Sequence, residues 1–186
     1  TQMSETKRLF IFGFGYSAAA LAQSLMKQGW EIGATSRHTP RRREVERLGI
    51  RAYDFPDERL LEDVTGYTHL LCSVAPIKLG DTVIKHYGDL IAQQQWDWIG
   101  YLSTTGVYGD HQGGWVDETT PVSPHDERSA RRDRAEQQWL AFGLKYHFST
   151  RSFFTVQNNF ALFNDSMNSL NSYGYNQFYL NYTLRF

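Results

Sequence analysis

The chain has 186 residues, a formal net charge of −1 and a single cysteine, Cys72. That length suits one globular domain, or one domain with an appendage. The balanced charge gives no overall pull toward nucleic acid, and one cysteine excludes an intrachain disulfide.

No basic region followed by an apolar stretch opens the chain, so no signal peptide is visible. No run of about 18 apolar residues is present, so no membrane helix is expected. The six histidines show no metal-ligand spacing, and no metal site is expected. The composition changes near residue 142. Residues 1–142 contain no asparagine, whereas 143–186 contain seven and only four charged residues. Residues 1–142 and 143–186 are therefore read as separate units.

In the first unit, apolar runs alternate with amphipathic stretches. An apolar run at 8–12 ends at Gly13 and reads as a buried strand. Residues 16–28 carry Ala18, Leu21, Ala22 and Leu25 at helical spacing and stop at Gly29. Strands follow at 30–35 and 50–54, flanking a charged helix at 40–48. Further strands are expected at 69–74 and 98–103, and helices at 81–94 and 126–142. This alternation predicts an α/β fold: a doubly wound parallel sheet of order 3-2-1-4-5, cut short after about five strands.

The turn after the first strand reads Gly13-Phe14-Gly15-Tyr16-Ser17-Ala18, a G-x-G-x-x-A pattern. Gly13 permits the tight turn, Gly15 lets the backbone approach a pyrophosphate, and Ala18 allows close helix–strand packing. The following helix presents free N–H groups and the positive end of its dipole to a phosphate. The second strand ends Thr35-Ser36-Arg37, without the acidic residue that holds a ribose 2′-hydroxyl. Arg37 can pair with a 2′-phosphate, with Arg41 to Arg43 adding positive field, so NADP is expected over NAD.

After the fifth strand come Ser103-Thr104-Thr105-Gly106-Val107-Tyr108-Gly109 and Trp115-Val116-Asp117-Glu118-Thr119-Thr120-Pro121. With the glycine turn, these segments resemble the extended branch of the short-chain dehydrogenase/reductases, the NAD-dependent epimerase/dehydratase type with a Rossmann-like fold. The resemblance covers residues 7–141. It implies that Thr104 hydrogen-bonds a small-molecule substrate, that Asp54 contacts adenine, and that Ser73 and Ala75 lie along the cofactor ribose. Asp54 also reads simply as a turn residue. The family's catalytic Tyr and Lys would fall at Arg128 and Arg132 when Ala135-Glu136 anchors the comparison. Arginine cannot act as a general base, so cofactor binding is expected to outlast the usual chemistry. His111, His125, Asp117 and Glu118 are the nearby alternatives for proton transfer.

In residues 143–186, Phe178, Leu180, Tyr182, Leu184 and Phe186 alternate with polar neighbours. Phe154, Val156, Phe160 and Leu162 do the same in 152–163, and Leu144, Tyr146 and Phe148 end a third expected strand. A short turn at 149–151 and a polar loop at 164–174 would connect them. This antiparallel β tail is similar to the C-terminal strands of a Gram-negative porin, through Gly143-Leu144-Lys145-Tyr146-His147-Phe148-Ser149 and Phe186. The resemblance implies a fusion of two gene fragments. The expected partners are a dinucleotide and an unidentified small molecule, with membrane contact only through 143–186. The first unit is expected in the cytoplasm. A dinucleotide sensor without turnover and a barrel fragment are the alternative functions.

Overall fold

The computed structural model describes residues 6–117, 119–146, 152–163 and 173–184, with side chains described to residue 140. Five short strands make the central sheet: β1 (Arg8–Phe12), β2 (Glu31–Thr35), β3 (Arg51–Tyr53), β4 (His69–Cys72) and β5 (Trp98–Tyr101). All their pairings are parallel and the order is β3-β2-β1-β4-β5, as the alternating pattern requires.

Parallel strands need crossovers, and the helices supply them: α1 (Tyr16–Met26), α2 (Thr39–Arg47), α3 (Leu60–Asp63), α4 (Thr82–Gln93) and α5 (Glu127–Tyr146). Two single-turn 3₁₀ segments, Val64–Gly66 and Thr105–Tyr108, complete the connections. The short helix α3 and both 3₁₀ turns carry too few residues for a period to show in the sequence.

β1 explains why the sheet sits in the middle. Its side chains alternate between faces, yet Leu9, Phe10, Ile11 and Phe12 are all buried. Phe10 and Phe12 join one core cluster with Leu60, Val83, Tyr87, Ile91, Ala135 and Trp139, from α3, α4 and α5. Leu9 and Ile11 join the other with Ala18, Ala22 and Val45, from α1 and α2. A sheet covered on both faces needs apolar side chains at every position, hence the continuous run rather than alternation.

Two features of α4 and α5 matter for the site. Asp81, only 5% exposed, caps α4: its carboxylate accepts from the backbone N–H groups of Val83 at 2.8 Å and Ile84 at 2.9 Å. Its other oxygen accepts from the Trp139 indole at 2.9 Å, tying the head of α4 to α5.

α5 differs from the sequence reading. It continues through Tyr146, so Leu144 and Tyr146 lie in helix rather than in a strand. The composition break at 142 therefore falls inside a helix. Helix propensity and continuation of a formed helix override a three-residue alternation. Beyond it, β6 (Ser152–Phe163) and β7 (Tyr173–Leu184) pair antiparallel along their full length. The expected turn at 149–151, most of the loop at 164–174, and Phe148 and Phe186 lie outside the described residues. No helix among the described residues is long and apolar enough to cross a membrane.

Candidate dinucleotide and substrate site

In an open sheet of this order the chain reverses direction between β1 and β4, leaving a crevice at the carboxyl ends of those strands. The glycine turn sits there. Gly13 has φ +86°, a left-handed conformation that side chains disfavour. Its N–H donates to the Thr35 hydroxyl at 2.8 Å, and the Phe14 N–H donates to the Thr35 carbonyl at 3.0 Å. Thr35, 1% exposed at the end of β2, thus grips both sides of the turn. A Cβ on Gly13 would meet Val74 Cγ2 at 3.0 Å and the Ser73 carbonyl carbon at 3.2 Å. The loop after β4 therefore rests directly on the turn, bringing the Ser73 backbone to Gly13. Ala75 is exposed beyond it.

Gly15 is the residue before α1 and supplies no side-chain cap to that helix. A Cβ there would meet nothing within 4 Å, so the space in front of the helix is open. Ala18 is fully buried against the sheet, and Tyr16 is 73% exposed at the mouth. A glycine-lined opening before uncapped N–H groups, with Ser17 in the first turn, fits the pyrophosphate of a dinucleotide.

The basic cluster after β2 is less free than its sequence suggests. Arg42 forms an ion pair with Asp54 at 3.0 Å and donates to the Ser36 carbonyl at 2.8 Å. Arg41 pairs with Glu44 at 2.8 Å and lies 5.8 Å above the Phe14 ring. Both charges are met by carboxylates, whereas Arg43 is exposed. Arg37 is exposed and makes no hydrogen bond or ion pair among the described residues. Asp54 is half-exposed. It accepts from the Phe55 N–H at 2.8 Å as well as pairing with Arg42, so it holds the ends of β2 and β3 together.

At the end of β5, Thr104 Oγ1 accepts from the Gly106 N–H at 3.3 Å and starts the 3₁₀ turn. Arg132 comes to this end of the sheet. Its Nη1 donates to the Leu102 carbonyl at 2.9 Å and to the Tyr101 hydroxyl at 3.3 Å, and its guanidinium stands over the Tyr101 ring. Burial pushes the Tyr101 phenol up, although Arg132 lowers it. Arg128 is exposed in the first turn of α5 and is not gathered in with Arg132. Ser129, one residue later, is 7% exposed and crowds Gly106.

The nearby alternatives for proton transfer serve the loop instead. His111 Nε2 lies 3.0 Å from the Tyr108 carbonyl, and His125 Nε2 accepts from the Asp110 N–H at 3.0 Å. Asp117 accepts from the Thr119 hydroxyl and N–H, which hold its carboxyl below the usual range. Glu118 lies outside the described residues. No group of His, Cys, Asp or Glu suited to a metal occurs among the described residues.

The sequence reading missed Thr35. Thr35 carried a signal in being the polar end of an apolar strand.

No protein-family model and no curated protein matches the chain. Solved structures do. One, a functionally unknown conserved protein from Silicibacter pomeroyi DSS, is 47% identical with a TM-score of 0.68, covering 74% of this chain and 50% of that one. The UDP-glucuronic acid 4-epimerase of Bacillus cereus, solved with NAD, is 15% identical with a TM-score of 0.63, covering 75% and 53%. The UDP-glucose 4-epimerase of Thermus thermophilus, also solved with NAD, is 18% identical with a TM-score of 0.59, covering 75% and 52%.

The chain has the Rossmann fold of these epimerases. It spans about half the length of the structures it matches. Within this Rossmann unit, Gly13, Thr35 and Ser73 lie against one another at the carboxyl ends of the strands, while Thr104 and Arg132 mark the end of β5. The matches lend no support to a porin likeness for the tail.

Proposed function

We propose that this chain binds a nicotinamide dinucleotide, with the pyrophosphate on the turn from Gly13 to Ala18. The observation that carries the reading is the built turn: a left-handed Gly13 clamped by Thr35, and open space before α1 at Gly15. When bound, such a group supplies hydride transfer. The residues of this chain would hold and orient it. NAD is the first expectation, because two of the structures sharing the fold are solved with it. Exposed Arg37 favours the 2′-phosphate of NADP as the second reading.

The ligand partner is a small molecule whose hydroxyl or carbonyl meets Thr104. The epimerase and dehydratase class supplies the reaction type, with Arg132 as a fixed cation beside the cofactor. Arg128 takes no part in proton transfer. A porin-like role for 143–186, or a joined gene fragment, rests on sequence alternation alone. Detergent-dependent solubility of the full chain would support it.

Titrating the full chain with NADH and with NADPH, followed by nicotinamide fluorescence, tests the reading. Saturable binding is expected, weakened at least tenfold by Gly13→Ala. That variant forces a side chain into the left-handed region, a strain of about 1–2 kcal/mol. If Arg37 reads a 2′-phosphate, Arg37→Glu weakens NADPH alone. A folded protein that binds neither cofactor overturns the proposal.

A further inference from the structure

A histidine ties the segment after the 3₁₀ turn Thr105–Tyr108 to the start of α5. The Asp110 N–H donates to His125 Nε2 at 3.0 Å. A backbone N–H can only donate, so Nε2 carries no proton and the ring is neutral, with its proton on Nδ1. The two segments are packed closely here. Gly109 has φ +81°, and a Cβ on it would collide with the Ser123 carbonyl oxygen and meet the His125 ring at 2.9 Å. Glycine at 109 is what lets residues 109–110 lie this near residues 123–125.

The neighbouring ties differ in kind. The Ser123 N–H donates to the Val107 carbonyl at 2.9 Å, and the Gly114 N–H donates to the His111 carbonyl at 2.8 Å. Neither bond involves a group that titrates. His111 Nε2 lies 3.0 Å from the Tyr108 carbonyl, which can only accept, so this ring nitrogen donates. A second proton on the His111 ring goes to Nδ1 and leaves that bond in place. His125 is the tie that a proton breaks.

We propose that His125 is a pH-sensitive latch. Neutral, it holds Asp110 and the turn at 110–114 against the start of α5; protonated, it releases them. A proton on Nε2 occupies the lone pair that receives the Asp110 N–H and sets two N–H groups against each other. The step takes one proton from solvent and breaks no covalent bond. The latched segment begins directly after the 3₁₀ turn that Thr104 starts, so its release loosens the chain beside that turn. The inference does not depend on the dinucleotide reading.

The charged groups around His125 do not replace the lost bond. On the loop side, the Asp110 carboxylate accepts from the Gln112 N–H at 2.7 Å. On the α5 side, Asp126 accepts from the Ser129 N–H at 2.7 Å and from its hydroxyl at 3.3 Å. Glu127 pairs with Arg134 at 3.0 Å and with Arg131 at 3.7 Å, and Arg128 is itself a cation. No carboxylate forms an ion pair with His125 among the described residues.

Proton–nitrogen NMR of the full chain tests the latch between about pH 8 and pH 5, the range over which histidine changes charge. The Asp110 amide is expected to shift in step with the His125 ring protons. Its exchange protection, corrected for the intrinsic effect of pH, should fall about two- to tenfold, the weight of one hydrogen bond. The Ser123 and Gly114 amides, bonded to carbonyls, should keep theirs. His125→Gln retains an accepting oxygen that does not titrate, so Asp110 should stay protected at both ends of the range. His125→Ala should leave it unprotected throughout. An Asp110 amide that ignores the His125 titration overturns the latch, as does one that follows pH equally in His125→Gln. Loss of protection at Ser123 together with Asp110 also overturns it, because the change is then a general loosening.

Discussion

Single side chains decide how tightly the crevice is built. Thr35 uses its hydroxyl and its carbonyl on two successive N–H groups of the glycine turn, so the turn is held before any ligand arrives. Asp57 gathers several donors in the same way just past the carboxyl end of β3. It accepts from the Arg59 guanidinium at 2.6 Å and from the backbone N–H groups of Asp54 and Arg59. The Arg59 hydrogen bonds are the main cause of a carboxyl lowered to about 2. A carboxyl lowered on folding stabilises the protein above its unfolded value of 3.8 and loses that contribution as pH falls toward 2. Arg59 is largely exposed, so solvent screening limits the pair to less than about 1 kcal/mol. Denaturation between pH 5 and about 2 should therefore steepen in the native protein and flatten in Asp57→Asn; parallel curves would deny the pair its role.

Among the elements, the junction of α4 and α5 positions the end of β5. Asp81 caps α4 with one oxygen and receives the Trp139 indole with the other, while Arg132 from α5 reaches back to the Leu102 carbonyl. Asp81→Ala removes a cap and strands a buried indole N–H, a loss of about 2–3 kcal/mol by denaturant unfolding. Asp81→Asn, which keeps an acceptor, should lose less than half of that. The strands and the long helices were legible in the sequence within a residue or two, because buried parallel strands and amphipathic helices impose strong patterns. The end of α5 was not. Its last residues read equally as alternating or helical, and only continuation of the helix past Phe142 separates the two.

The whole molecule is organised by two core clusters, one on each face of the sheet, and their described members lie between Leu9 and Trp139. The topology also sets where function is possible: the reversal between β1 and β4 opens a crevice into which the glycine turn and the loop after β4 both project.

The sequence alone determined the parallel α/β sheet, its strand order and the glycine turn after β1. Each is dictated locally, by apolar runs, helical periodicity and the freedom of glycine to take positive φ. Tertiary structure decided which polar groups meet. It paired Arg42 with Asp54, left Arg37 exposed, and turned Arg132 toward β5 while Arg128 faced solvent. Such pairings depend on how α2 and α5 pack against the end of the sheet, a long-range choice that no local pattern encodes.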